Sequence, residues 1–131
     1  LVVGAAKSCC APQPLSQVAM VQYNPDGSLD SSFGTGGKTQ IGFSTFPTTS
    51  ANDAAIQADG KIVIAGTAQG NIKAPLRAVV GRFNANGSLD PTFSGDGWNT
   101  IQSPTGISTS AMAIAIQPDG KILIGGSISE Q

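Results

Sequence analysis

Four two-residue turns carry the side chains that are best able to do chemistry in this sequence. Three are Asp-Gly pairs and one is an Asn-Gly pair, at Asp26–Gly27, Asp59–Gly60, Asp119–Gly120 and Asn86–Gly87. Carboxylates at such places suit general acid–base catalysis, calcium binding or the closing of a tight turn. Asn86 favours the last of these, because an amide preserves the turn but loses the ionisable group. The sequence therefore predicts structural turns at all four pairs.

A second acidic pattern, GSLD, occurs twice, and each copy precedes a glycine-rich stretch. Calcium needs six to eight converging oxygens, and Asp90, Asp96 and loop carbonyls would supply some of them. The other copy has Gly36 in place of Asp96, which removes one ligand. We favour the alternative in which the Leu and Phe of each copy hold the loop against its own sheet. Asp30 and Asp90 then accept backbone N–H bonds inside the loop.

Other reactive groups are few. The chain has no histidine, so a nucleophile would lack its usual base, and the glycine-rich FGTGGK at 33–38 lacks the spacing of a phosphate-binding loop. Cys9 and Cys10 are adjacent, whereas a metal site needs spaced ligands. Free or externally paired thiols, a vicinal disulfide and an interchain disulfide all remain open for them. We predict no enzymatic activity and no catalytic, metal-binding or cofactor-binding residue in this chain.

Trp98 is the single tryptophan and the one candidate ligand surface. Together with the FPTTS and SPTGIS loops it would form a surface on which a sugar ring stacks. The alternative, which we favour, is an aromatic side chain packed on an outer strand.

A repeat of 60 residues positions all of these groups. Residues 22–71, laid without a gap on residues 82–131, match at 21 of 50 positions. AIQADGKIVIAG at 55–66 thus returns as AIQPDGKILIGG at 115–126. The opening LVVGAA fits residues 62–67 with an offset of 61. A fixed long period of this kind is the signature of a repeat architecture.

Each period contains four strand signals and no helical pattern. In the central period they lie at 51–57, 61–67, 76–84 and 98–102. The first two strands, including the equivalent MAIAI of the next period, are apolar on both faces, so we expect them to be covered on both sides. The third contains Arg77 and Arg82, and the fourth is mostly polar. This pattern predicts burial that falls from the first strand, at a propeller axis, to the fourth at the rim.

The predicted fold class is all-β, with four-stranded antiparallel blades of β-propeller type forming an incomplete ring. Residues 1–50 supply a partial blade, 51–110 a complete blade and 111–131 the first two strands of a further blade, about 2.25 blades in total. A β-solenoid would show a sub-repeat of ~20–30 residues, and a single β-sandwich would not explain the long identity. A closed propeller needs at least about four blades. We therefore expect either a segment of a longer chain or a protomer that assembles with copies of itself.

Composition limits the partners. Charged residues make up 11% of the chain, against roughly 25% in average proteins, and the formal net charge is −1. This gives no basic field for nucleic acid, and no apolar stretch approaches the ~20 residues of a membrane span. We expect neighbouring blades or further copies of the chain as partners, with glycans or surface proteins as further candidates. We expect neither nucleic-acid binding nor membrane insertion.

The tandem NPDGSLD…FGTGG followed by AIQPDGKILIGG resembles the bacterial delta-sixty repeat family, and the blade order is similar to that of NHL-type propeller repeats. The resemblance covers nearly the whole chain and departs from the pattern near its start, where CCAPQPLSQ replaces GNIKAPLR. It implies propeller-like blades of large secreted or surface proteins, and it implies no active site. The predicted function is a non-enzymatic structural or interaction module, extracellular or at the cell surface. A glycan-binding adhesin or lectin-like propeller is the alternative.

Overall fold

A computed structural model of the chain describes residues 1–7, 16–43, 45–71 and 73–129. These residues form nine strands and, among them, no helix long and apolar enough to cross a membrane. The strands are β1 (Val2–Lys7), β2 (Ser16–Val21), β3 (Lys38–Ile41), β4 (Thr48–Ile56), β5 (Ile62–Gln69), β6 (Arg77–Phe83), β7 (Trp98–Ile101), β8 (Ser108–Ile116) and β9 (Ile122–Ser129).

The strands group into three antiparallel blades in chain order. The first blade is β1–β2–β3, the second is β4–β5–β6–β7, and the third is β8–β9. One parallel bridge, between Ser16 and Thr48, links β2 to β4. Every strand overlaps a predicted one, although β4 and β8 each begin three residues before the predicted blade boundaries at 51 and 111. The all-β prediction is confirmed, and the described strands do not close into a ring.

The innermost hairpin of a blade has the same irregularity in the second and third blades. In β4 the pairing with β5 shifts between Ala51 and Asp53, and in β8 the pairing with β9 shifts between Ala111 and Ala113. Each shift is a β-bulge, in which one extra residue lies in the inner strand. A bulge increases the local twist, so it directs the following side chains toward the neighbouring blade.

The largest apolar core lies between the first and second blades, and its buried members in the second blade come mainly from the middle strands, not from the inner strand β4. Val63, Ile64 and Val79 in β5 and β6 are fully buried, whereas Met112 in β8 is 57% exposed. The predicted decline from the first strand to the fourth is therefore wrong, because a middle strand has strands on both edges while an inner strand has one free edge. The expectation that MAIAI at 112–116 is covered on both sides is also wrong, since the face that carries Ala113 and Ala115 is exposed.

The strand pairing corrects the alignment of the chain start. Gly4 lies opposite Ala19 in the first blade, and Gly66 lies opposite Val79 in the second. Because Ala19 and Val79 are 60 residues apart, Gly4 corresponds to Gly66 with an offset of 62, not 61. The connection between the second and third strands is therefore two residues longer in the first blade.

The bulge explains why glycine occupies this position. A Cβ atom on Gly66 would collide with the carbonyl oxygen of Ser50, and one on Gly126 would collide with that of Ser110. Both carbonyls belong to the inner strand beside the bulge. Gly4 has no atom within 4 Å of its would-be Cβ, because β1 has no inner strand beside it among the described residues.

The glycine requirement can be tested by comparing Gly66→Ala with Gly4→Ala. We expect Gly66→Ala to lower the free energy of unfolding by about 1–3 kcal/mol, since the backbone must shift to admit the methyl group. Gly4→Ala should change it by less than about 0.5 kcal/mol or raise it slightly. Urea unfolding followed by circular dichroism measures both values. Equal losses at the two positions would contradict the steric argument.

Candidate interaction surface

The four Asp-Gly and Asn-Gly pairs lie in hairpin turns of one type. In each turn the N–H of the glycine donates to the carbonyl three residues earlier, at 2.9 Å from Gly60 to Gln57 in the second blade. All four glycines have positive φ, with values of 87° for Gly27, 83° for Gly60, 84° for Gly87 and 82° for Gly120. This is the left-handed conformation that glycine adopts without steric cost. The turn therefore depends on the glycine.

The side chain before each glycine binds the backbone of the same turn. Asp26 Oδ1 accepts the N–H of Ser28 at 2.9 Å, and Asn86 Oδ1 accepts that of Ser88 at 3.0 Å. Asp59 and Asp119 accept the N–H two residues ahead in the same way. The hydroxyl of Ser28 lowers the pKa of Asp26 by hydrogen bonding to its ionised form. The Asn86 amide and the Asp26 carboxylate thus make the same hydrogen bond to the backbone of their turns.

Backbone binding extends to every aspartate of the chain. Asp53 accepts the N–H of Ala54 at 2.8 Å, and Asp96 accepts that of Trp98 at 3.3 Å. The other members of the set are Asp26, Asp30, Asp59, Asp90 and Asp119, each bonded to the N–H two residues ahead. The carboxylates therefore stabilise loops and strand edges, as the backbone-binding alternative for GSLD expected for Asp30 and Asp90.

Asp90 is the most enclosed of these carboxylates, at 2% exposure. Its Oδ2 accepts Lys61 Nζ at 2.9 Å and Arg82 Nε at 2.7 Å, and its Oδ1 accepts the hydroxyl of Thr92 at 2.7 Å. The Thr92 hydroxyl and then Lys61 hold the pKa of Asp90 far below its usual range. The ion pairs connect the start of β5, the end of β6 and the loop that follows β6. A calcium ion here would compete with two cations already bound to the same oxygen.

The other two blades contain parts of the same network. Asp30, the equivalent of Asp90, accepts Gln22 Nε2 at 2.9 Å where the second blade has Arg82. Lys121, the equivalent of Lys61, pairs with its own neighbour Asp119 at 2.6 Å, and both side chains are largely exposed. No cluster of three metal-ligating side chains occurs within residues 1–7, 16–43, 45–71 and 73–129.

Trp98 packs inside the chain against the segment that joins the first blade to the second. Its ring stacks on Phe43 at a centroid distance of 5.0 Å and meets the edge of Phe46 at 5.6 Å. The packing alternative thus describes its position, and a ligand-binding role for Trp98 stays a prediction. Phe43 and Phe46 lie in the connection that follows β3 and Trp98 begins β7 of the second blade, so these aromatic rings form part of the contact between the first blade and the second.

Buried hydroxyl groups hold neighbouring blades together. Between the first and second blades, Ser16 Oγ donates to the carbonyl of Thr49 at 3.1 Å, and Thr49 Oγ1 donates to that of Ser16 at 3.2 Å. Between the second and third, Thr109 Oγ1 accepts the N–H of Ala78 at 2.9 Å and donates to the carbonyl of Ile101 at 2.7 Å. Thr49 and Thr109 are repeat equivalents, and both are buried. Their hydroxyls satisfy backbone groups that the contact removes from water.

The bulge of β4 makes a second contact with the third blade. Asn52 Nδ2 donates to the carbonyl of Ala111 at 2.7 Å, and Asp53 Oδ2 accepts the N–H of Ile114 at 3.0 Å. These groups flank the bulge of β8. The equivalents of Asn52 and Asp53 in the third blade are Met112 and an alanine, which cannot make such bonds.

Phe33 makes a contact that the sequence did not reveal. It was expected to pin its loop to the blade, and it is fully buried in the same apolar cluster as Val18 and Met20 of the first blade. Its ring also lies against Gly87, in a turn of the second blade. The N–H of Gly34 donates to the carbonyl of Asn86 at 2.8 Å beside it. Phe93, the equivalent of Phe33, is only partly buried and lies under the guanidinium of Arg82 at 5.0 Å.

Apolar side chains remain exposed mainly in the two flanking blades. Nine large apolar side chains are exposed among the described residues. Four are in the first blade and three in the third: Leu1, Val2, Tyr23 and Leu29, and Met112, Leu123 and Ile128. A groove of about 530 Å³ lies on the first blade and is lined by Ala19, Val21 and Lys38 among others. Lys38 and Val21 correspond to Trp98 and Gly81, which in the second blade contact Phe43. The groove therefore lies where a preceding blade would pack.

Sequence reasoning found the turns and the acidic loops but missed the groups that join blades. The repeat alignment did indicate the buried threonine, because Thr49 and Thr109 are identical. Asn52 and Asp53 gave no such signal because their equivalents differ. Cys9 and Cys10 lie outside the described residues.

A family model described as "Domain of unknown function (DUF5122) beta-propeller" matches residues 1–33, 57–93 and 117–131, which is more than half of the chain. The matched segments contain all four turns and both GSLD loops. With the three antiparallel blades, this match confirms the predicted fold class of propeller-type blades. No curated protein and no solved structure matches the chain.

The Asp90 network predicts a specific dependence of stability on pH. Because the pKa of Asp90 is lower in the folded chain than its unfolded value of about 3.9, its stabilisation is full above that value and is lost as pH falls through and below it. The stability difference between the wild type and Asp90→Asn should be constant from about pH 5 to pH 7 and shrink below about pH 4. Urea unfolding across this range measures it.

Asp30→Asn is the matched control for this prediction. Asp30 has no cationic partner among the described residues, so its replacement should lower stability less than Asp90→Asn does at neutral pH. A larger effect at Asp30, or a difference for Asp90→Asn that grows as pH falls, would be inconsistent with the network.

The contact of the β4 bulge with the third blade gives a further prediction. Replacing Asn52 and Asp53 together by alanine should lower the free energy of unfolding by about 1–3 kcal/mol, because Ala111 and Ile114 lose partners for their backbone groups. Hydrogen exchange should show faster exchange of the Ile114 amide. Met112→Ala, at the same bulge position but exposed, should change stability by less than about 0.5 kcal/mol. Similar exchange of Ile114 in both variants would argue against this contact.

Proposed function

Because the chain belongs to the DUF5122 β-propeller family, we propose that it is a non-enzymatic structural and interaction module whose blade faces bind neighbouring blades. The partners are other blades of the same parent chain or further copies of this chain. The 60-residue period and the QPDGK motif support a finer assignment, to repeats of the delta-sixty type.

The observation that carries this proposal is the contact between blades. Each contact buries apolar side chains and satisfies backbone groups through a buried threonine. Apolar side chains remain exposed on the first and third blades. In the third blade, for example, Leu123 is 60% exposed while its equivalent Val63 in the second blade is fully buried. Exposed apolar surface next to unpaired strand edges is typical of a protein-binding site.

A non-enzymatic role is supported by the use of the acidic side chains. All seven aspartates bind backbone N–H groups, and Asp90 also binds Lys61 and Arg82. A general acid or base must be free to exchange a proton with its substrate at a working pKa near neutral. Hydrogen bonds lower the pKa of four of these carboxylates, which suits them poorly to this role: Asp26, Asp30, Asp90 and Asp119.

We propose an extracellular or cell-surface location. It is supported by the resemblance to repeats of large secreted proteins and by a surface rich in uncharged polar groups. The glycan-binding alternative gains no observation in its favour, since the Trp98 ring that would stack on a sugar already stacks on Phe43.

Insertion of a second copy of residues 51–110 after residue 110 tests the module. The inserted blade has a neighbour on both faces, so stacking should raise the free energy of unfolding and increase the urea m-value by roughly half, in proportion to added buried surface. A matched insertion carrying Asn52→Ala and Asp53→Ala in both copies should gain less. An unchanged m-value, or a separate transition for the inserted blade, would show that blades do not bind one another.

A further inference from the structure

The peptide bond between Asp90 and Pro91 combines a nucleophile and a leaving group on adjacent residues. It is the one Asp-Pro pair of the sequence, and it lies in the loop between β6 and β7. A carboxylate is a nucleophile, and that of an aspartate lies close enough to attack the carbonyl carbon of its own peptide bond. Proline leaves more readily than other residues, because its nitrogen is tertiary in the amide, has no N–H and is more basic.

The loop holds this bond in a form that favours attack. The N–H of Phe93 donates to the backbone carbonyl oxygen of Asp90 at 3.1 Å. A donor at this place stabilises the negative charge that develops on the oxygen during attack. Pro91 is exposed, so solvent reaches its nitrogen, whereas the Asp90 side chain is only 3% exposed. The availability of the carboxylate therefore determines whether the bond breaks.

Four donors occupy that carboxylate in the folded chain. Oδ1 of Asp90 accepts the N–H of Thr92 at 3.1 Å and its hydroxyl at 2.7 Å. Oδ2 accepts Lys61 Nζ at 2.9 Å and Arg82 Nε at 2.7 Å, and these are the charged groups that contact Asp90 among the described residues. Since a carboxylate offers about four lone-pair sites, these donors leave no site for a new bond to carbon.

We propose that the bond between Asp90 and Pro91 is a latent self-cleavage site, which the contacts of Asp90 with Lys61, Arg82 and Thr92 keep intact in the folded chain. Once the carboxylate is released, one of its oxygens attacks the backbone carbonyl carbon of Asp90. The bond from that carbon to the Pro91 nitrogen breaks, and the nitrogen takes a proton from acidic solvent and leaves as a secondary amine. Water then hydrolyses the cyclic anhydride to the two carboxyl groups of a terminal aspartate, so that one water is consumed in all.

The equivalent loop of the first blade shows the contrast. The N–H of Phe33 donates to the backbone carbonyl of Asp30 at 3.0 Å, as in the second blade. Ser31 follows Asp30, and the Gln22 amide binds the carboxylate where the second blade has the guanidinium of Arg82. The loop with the better leaving group thus has the stronger, charge-assisted donor on its nucleophile.

Acid alone does not release the nucleophile while the second blade is folded. The hydroxyl of Thr92 and then Lys61 keep the pKa of Asp90 far below its usual range, so the carboxylate stays ionised and bound at a pH where an unfolded aspartate is protonated. Cleavage therefore follows opening of this blade. The inference goes beyond the proposed function, because it makes the bond a chemical record of chains whose second blade has unfolded.

A comparison of folded and unfolded chains tests the protection directly. The complete chain is kept at about pH 3, below the ordinary aspartate pKa of about 3.9, with and without denaturing urea. Mass spectrometry under denaturing conditions counts fragments 1–90 and 91–131, which otherwise stay joined by the pairing of β6 with β7. Cleavage should be at least about tenfold slower in the folded chain. Asp90→Asn, which lacks the carboxylate, should suppress cleavage at this bond in urea.

Arg82→Gln gives the second blade the amide that the first blade already uses. In the folded variant the bond should break at least about tenfold faster than in the folded wild type, because Oδ2 loses its guanidinium partner. In urea the two chains should react at the same rate. Arg77→Gln, at the other end of β6, is the matched control and should keep the wild-type rate. Circular dichroism at the same pH establishes that each variant is folded.

Competition between two bonds in one molecule separates the network from any loss of folding. Ser31→Pro creates a second Asp-Pro bond, after Asp30, in a loop whose equivalent already accommodates proline. In the folded variant the bond after Asp30 should break at least about tenfold faster than the bond after Asp90, since a neutral amide holds its carboxylate. In urea both bonds should break at similar rates.

Three results would overturn the proposal: a folded wild type that is cleaved as fast as the chain in urea, a folded Arg82→Gln variant that is cleaved at the wild-type rate, or equal cleavage of the two bonds in folded Ser31→Pro. If Arg82→Gln does not fold at this pH, the competition between the two bonds decides, because it leaves every side chain that contacts Asp90 unchanged.

Discussion

A blade of this chain is a thin sheet with apolar side chains on both faces, so it needs another blade against each face. Burial of apolar surface is the dominant favourable term in folding, and a lone four-stranded sheet cannot bury both of its sides. The second blade has neighbours on both faces, and its middle strands are almost completely buried. Among the described residues the flanking blades have one neighbouring blade each, and most of the large exposed apolar side chains lie in these two blades.

The turns belong to the same constraint. Gly87 has a positive φ that closes the hairpin after β6, and the absence of a Cβ also leaves room for the ring of Phe33 from the preceding blade. Gly87 thus closes a turn within its own blade and makes room for a side chain of the preceding blade. Gly66 combines two requirements in a similar way, since it forms part of β5 and admits the carbonyl of Ser50 at the bulge of β4. Local geometry and contact between blades are therefore specified by the same positions.

Because the same positions serve a turn or strand and a contact between blades, the sequence predicted the local role of each position but not the contact. The turn at Asp59–Gly60 was predictable because a turn depends on a few adjacent residues. The nine strands were predictable because the repeat supplied each signal more than once. The order of burial was not, because it depends on which face another blade covers. The partner of Phe33 was also hidden, since ring and turn are more than fifty residues apart and only the three-dimensional stacking brings them together.

The two contacts between blades share a backbone arrangement but differ in their side chains. The first contains the aromatic group of Phe43, Phe46 and Trp98, whereas the second contains the small residues Ala65, Ala78 and Ala111. The second also has the polar bonds of the β4 bulge, which the next bulge lacks. The turn glycines and the buried threonine are thus kept between repeats, while the aromatic and bulge positions at the contacts change. Because a large ring cannot pack where a small residue is required, each blade fits its own neighbour better than another blade, and the side chains at the contacts specify the order of the blades.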